Sequence, residues 1–91
     1  MIKRKLLLLV STNRSCKRNH ALMHAINLKR CGHEIRIILK GEGPRSIAER
    51  DGRFGELFLT AVKQEIPLVG DIDGHAAINH YISEGFELVV Y

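Results

Sequence analysis

Ile66-Pro-Leu-Val-Gly70 runs into Asp71-Ile-Asp-Gly-His75, and after a short helical pattern Phe86-Glu-Leu-Val-Val-Tyr91 follows. Two apolar runs of strand length, joined by about fifteen residues that carry a helix, are the sequence form of a parallel β-α-β crossover. A parallel sheet must be covered on both faces. This stretch therefore predicts an α/β domain with strand, loop, helix and strand between Ile66 and Tyr91.

The pattern extends toward the N-terminus. Lys5-Leu-Leu-Leu-Leu-Val10 is a continuous apolar run, the signature of a strand buried on both faces. It is the expected central strand, with Leu7 to Leu9 covered on both sides. Ser11 to Ser15 supplies capping residues, and a helix is predicted from there to about Cys31. On 100° steps Ala21, Leu22, Ala25, Ile26 and Leu28 share one arc, opposite His20, His24, Asn27 and Cys31. Glu34 to Lys40 is a second strand with Ile35, Ile37 and Leu39 on one face, and the charged Arg36 on the other suggests a position nearer an edge than the first strand.

Pro44 suits the first turn of a short helix to about Arg50, which Asp51-Gly52 breaks. Phe54, Leu57, Phe58, Ala61 and Val62 then follow i, i+3, i+4, i+7, i+8, an amphipathic helix reaching Glu65. The expected strands are residues 5–10, 34–40, 66–70 and 86–91, and in the last helix Ala77, Ile78, Tyr81 and Ile82 share a face. Strand and helix alternate, which gives a three-layer α/β/α domain over residues 1–91 with a mainly parallel, four-stranded sheet.

Ile66-Pro67-Leu68-Val69 with Asp71, Gly74-His75, Tyr81-Ile82, Glu84-Gly85 and Phe86 to Tyr91 resemble the C-terminal end of small DsrE/DsrF-like proteins, the sulfur-relay family. Leu39-Lys40-Gly41-Glu42-Gly43 and Phe54-Gly55-Glu56-Leu57 are similar to that family as well. The resemblance implies a flavodoxin-like winding, an oligomer and a link to sulfur relay. Members of the family carry a further strand ending in a cysteine-bearing loop, with another helix, before the piece that matches Ile66 to Asp71. Here Val62-Lys-Gln-Glu65 passes straight into Ile66, so the family's relay cysteine has no counterpart in this chain.

Composition narrows the function classes. The 91 residues carry 14 Lys and Arg against 10 Asp and Glu. Residues 1–45 hold eleven basic and two acidic residues (+9), and residues 46–91 hold three and eight (−5). Such a split can steer an anionic partner or pair opposite faces of subunits. The longest apolar run, Leu6 to Val10, is too short for a membrane span or a signal-peptide core, so a cytoplasmic protein without membrane contact is expected. Two cysteines make no disulfide framework. Near opposite ends of one helix they would stand roughly 20 Å apart, too far to bridge. Aromatic residues make up only 5 % and do not interleave with the charges, which argues against nucleic acid.

Ligands of open parallel sheets bind beyond the carboxyl ends of the strands. The candidates there are Ser11 and Asn13 in the first loop, Glu42 in the second, and Asp71, Asp73 and His75 in the third. A carboxylate-imidazole set could hold a metal or move a proton, although Asp73 before Gly74 is also an ordinary helix cap. His20 and His24 are spaced as a helical metal pair would be but lack a third ligand. Gly41-Glu42-Gly43 is no phosphate-loop motif, and neither cofactor nor metal is expected. Cys16, at a helix N-terminus among Arg14, Lys17 and Arg18, is the candidate catalytic residue, since a positive field favours thiolate.

The leading reading is a DsrE/DsrF-like binding or assembly subunit, a non-catalytic homo-oligomer with a protein or small anionic partner. One alternative is a sulfur carrier or sulfurtransferase that uses Cys16. Another is an anion- or nucleic-acid-binding module that uses the basic N-terminal half.

Overall fold

The computed structural model describes residues 3–41, 43–71 and 76–91. In chain order these form β1 (Lys5–Val10), α1 (Ser15–Arg30), β2 (Glu34–Lys40), α2 (Pro44–Arg50), α3 (Gly52–Lys63), β3 (Leu68–Asp71), α4 (Ala76–Ser83) and β4 (Glu87–Val90). The strands form one sheet in the order β3-β2-β1-β4, with every pair parallel. The predicted three-layer α/β architecture is the observed one, and the doubly wound order is compatible with a flavodoxin-like winding.

The layers follow from the direction of winding. From β1 through β2 to β3 the chain moves one way across the sheet, so right-handed crossovers place α1, α2 and α3 on one face. From β3 to β4 it returns past β1, and α4 falls on the other face. The larger core accordingly joins Leu6, Leu8, Val10, Ile35, Ile37 and Leu39 of the sheet to Leu22, Ile26, Ile47 and Phe54 of the three helices. The smaller core joins Leu7, Ile38 and Phe86 to Ala77, Ile78 and Tyr81.

The predicted arc of α1 is the buried one. Ala21, Leu22, Ala25 and Ile26 are enclosed, Leu28 is half-buried, and His20, His24, Asn27 and Cys31 face outward. Gly32, at φ +95°, turns the chain into β2 in a conformation that side-chain-bearing residues avoid. Pro44 opens α2 as expected.

Several expectations are corrected. β2 is an inner strand. Arg36 is tolerated there because its guanidinium lies 5.3 Å from the centre of the Phe86 ring and pairs with Glu34 at 3.1 Å. Leu7 and Leu8 are fully buried, but Leu9 is only half-buried, since α4 leaves part of the second face uncovered. Val62 and Ile82 stand 53 % and 46 % exposed, outside the helix faces they were expected to join. β3 begins at Leu68, not Ile66; Ile66 is buried under α3, and Pro67, which has no N–H, gives only its carbonyl, to Ile37 N at 3.0 Å. β4 likewise begins one residue late, at Glu87, because the Phe86 amide bonds back to Tyr81 O. Asp51-Gly52 does separate two helices, yet it opens the second: Asp51 is the N-cap of α3, accepting from the Arg53 and Phe54 amides.

Candidate functional site

All four strands point their carboxyl ends the same way, so the loops after β1 and β2 meet at one end of the sheet. There a cavity of about 400 Å³ opens between Val10, Ser11, Thr12 and Asn13 on one side and Leu39, Lys40, Ile47 and Arg50 on the other, with Arg18 in its wall. A second cavity, of about 420 Å³, shares Asn13, Arg18 and Arg50 and adds Ser15, Asp51 and Gly52. The floor is apolar, formed by the buried Val10, Leu39 and Ile47. The walls are cationic and polar.

Arg18 sits on the first turns of α1 and is 8 % exposed. Its guanidinium packs 5.4 Å from the Phe54 ring centre and donates through Nη2 to Asp51 Oδ2 at 3.3 Å, while its buried Nε has no acceptor. Asp51 is a hub. Besides capping α3 it accepts from Ser15 Oγ at 2.5 Å and from Asn19 Nδ2 at 3.4 Å. The Ser15 hydroxyl and the Phe54 amide, with Asn19 and Arg18, hold its carboxyl down to about 2. It is therefore a carboxylate at any physiological pH. Thr12 Oγ1 accepts from the Arg14 amide at 3.1 Å, which leaves its own proton to donate.

On the other side of β1 lies a cavity of about 340 Å³ lined by Cys16, Lys17, His20 and Tyr91. It stands at the boundary of β1 and β4, where the strand order reverses. Ser11 closes this boundary: its amide and its hydroxyl both donate to Tyr91 O, at 3.0 and 2.9 Å. The Tyr91 phenol meets His24 Nδ1 at 2.5 Å, and partial burial pushes it above its usual value.

The candidates from sequence thus separate. Ser11 and Asn13 belong to the basic cavity, and Cys16 belongs to its neighbour, exposed in the first turn of α1. Asp71 ends β3 in register with Lys40. Its side chain, together with Glu42, Asp73 and His75, lies outside the described residues, as does the proposed cap at Asp73. His20 and His24 stand with ring centres 6.5 Å apart, and among the described residues no group of three metal-ligating side chains forms.

Sequence reasoning missed Thr12, Arg18, Lys40, Arg50 and Asp51. Arg18 and Asp51 could have been found: Arg18 falls beside Leu22 and Ala25 on the helical wheel, on the arc that faces inward, and Asp51 precedes a helical pattern as N-caps do. Cys16 and Cys31 are both free and exposed. No described helix is long and apolar enough to cross a membrane. The chain matches no protein-family model, no curated protein and no solved structure.

Proposed function

We propose that the chain is a small DsrE/DsrF-like binding subunit that captures an anionic partner at the basic end of its sheet and performs no sulfur transfer of its own. One observation carries this reading: Arg18, nine-tenths buried with an unsatisfied donor, stands in the wall of a cavity that also presents Lys40 and Arg50. Fixed cations over an apolar floor hold negative charge, whereas chemistry requires a group that gains or loses a proton or an electron pair. The cytoplasm suits two free thiols.

The test is a titration of the isotope-labelled protein with inorganic phosphate and with sulfate at low ionic strength, followed through backbone amide resonances. Saturable shifts centred on Ser11 to Asn13, Lys40 and Arg50 support the reading. Shifts spread evenly over the basic surface, or none, defeat it.

A second reading rests on the neighbouring cavity. Ligands of doubly wound sheets favour the point where strand order reverses, and Cys16 lies there with Lys17, His20 and Tyr91. A persulfide formed on Cys16 after exposure to a sulfur donor, passed on to an acceptor and absent in Cys16→Ser, would make the protein a sulfur carrier instead.

Assembly belongs to the same proposal, with a second copy of the chain as partner. β4 is an edge strand, and it leaves Leu88 43 % and Val90 60 % exposed. Two β4 strands set edge to edge would continue the sheet and cover these side chains.

A further inference from the structure

Resting on the assembly proposed above, we infer that two copies of the chain join β4 to β4 in one register, Leu88 of each against Val90 of the other. Across this joint Glu87 of the partner subunit completes the cavity lined by Cys16, Lys17, His20 and Tyr91.

The backbone sets the register. Tyr91 turns both of its main-chain groups to β1: its amide donates to Leu9 O at 2.8 Å, and its carbonyl accepts from Ser11 N at 3.0 Å. Along a parallel ladder this orientation alternates, so Val89 and Glu87 also face β1, while Leu88 and Val90 direct their N–H and C=O groups to the open edge. Identical edge strands related by a two-fold axis pair antiparallel, and there two facing residues exchange two hydrogen bonds. With Leu88 facing Val90, both outward residues of each strand find a full partner, about an axis at Val89. With Leu88 or Val90 on the axis only one complete pair forms among the described residues, since the Phe86 amide already donates to Tyr81 O.

The side chains agree with that register. Leu88 and Val90 pair with Leu7 and Leu9 and share their side of the sheet, the α4 side, where they stand 43 % and 60 % exposed. Set against each other twice across the axis, they cover one another. Val89 and Tyr91 pack against the larger core on the opposite side, which Glu87 shares by alternation. The register places Glu87 of the partner subunit opposite Tyr91, beside Lys17 and His20. β4 therefore begins at a carboxylate and ends beside a cation, and antiparallel pairing matches the two. Glu87, held within its own chain by Arg4, then lies between two positive groups.

Disulfide trapping reads the register. In a background of Cys16→Ser and Cys31→Ser, chains carrying Leu88→Cys and chains carrying Val90→Cys are mixed, allowed to exchange and oxidised. Facing residues of a hydrogen-bonded pair stand about 5.5 Å apart, within disulfide reach, whereas the two copies of position 88, or of position 90, stand roughly 8 Å apart, beyond it. The mixed 88–90 disulfide is the expected main product by peptide mapping. Lys17→Glu and Glu87→Lys, both exposed, should each keep the circular dichroism spectrum and weaken the dimer about tenfold at low ionic strength, and the double variant should recover most of the loss. An 88–88 or 90–90 disulfide as main product, or a double variant no tighter than either single one, overturns this inference and leaves edge-to-edge assembly standing. A chain that stays single at every concentration, or a dimer that yields no disulfide at β4, overturns both.

Discussion

Ser15 Oγ donates to Asp51 Oδ2 at 2.5 Å, tying the N-terminus of α1 to the N-terminus of α3. The same carboxylate caps α3 and pairs with Arg18, so one side chain ties together two of the three helices that cover the larger core. Asp51 titrates from about 2 in the fold, against an ordinary value of 3.8. A depressed carboxyl stabilises the fold fully above its unfolded value, and that contribution is lost as pH falls through its folded value. Thermal unfolding should therefore show a stability loss between about pH 4 and pH 2 that Asp51→Asn lacks, the variant already melting lower at neutral pH. Parallel curves for the two proteins would mean that other carboxyls govern the acid transition.

The sheet interior should dominate stability. Leu8 is fully buried in β1 among the residues of the larger core, and Leu8→Ala is expected to cost about 3 kcal/mol, a large share of the roughly 5–15 kcal/mol that small domains possess. Leu59 on α3 is 61 % exposed, and Leu59→Ala should stay within about 0.5 kcal/mol. Urea unfolding midpoints of the two variants decide the matter. Equal losses would show that Leu59 is covered in solution.

What could be read from the chain is what local periodicity encodes. Leu6 to Val10, the α1 arc from Ala21 to Leu28 and the Gly43-Pro44 helix start all stand where the pattern places them. Strand order is set by which faces find cover, and nothing near Arg36 reveals that Phe86, fifty residues later, will shield it from the far side of the sheet. For the same reason Val62 and Ile82 fit their helical periods and still lie outside the cores. The site was half legible. Ser11 and Asn13 follow from the rule that loops gather beyond strand ends, whereas Lys40 and Arg50 read as ordinary surface charge until the fold brings β2 and α2 against the start of α1.

The edge of β4 offers a direct test of assembly. Val90 is 60 % exposed on a strand with no proline or lysine to discourage pairing, and Glu87 at its start is engaged by Arg4. Light scattering at micromolar concentration should return a multiple of the 10.3 kDa chain mass, and Val90→Lys should return the single chain with an unchanged far-ultraviolet circular dichroism spectrum. A wild-type monomer under these conditions would remove the oligomer from the proposal.

The two thiols provide the sharpest separation between binding and relay. Both are exposed, and each has basic neighbours in sequence: Arg14 and Lys17 by Cys16, Lys29 and Arg30 by Cys31. Exposure and local charge therefore do not distinguish them, and the helix does. Cys16 is in the first turn of α1, which has no acidic residue of its own and where unsatisfied amides leave a positive end; Cys31 is the C-cap, at the negative end. An anionic alkylating reagent such as iodoacetate should modify Cys16 first, with a preference that shrinks as salt screens the field. Peptide mapping after brief exposure gives the ratio directly. Faster modification of Cys31 would show that the helix field does not control these thiols and would deprive the carrier reading of its nucleophile. Fast modification of Cys16 without persulfide transfer is the outcome expected of a binding subunit, because a reactive thiol becomes a relay only when an acceptor can reach it.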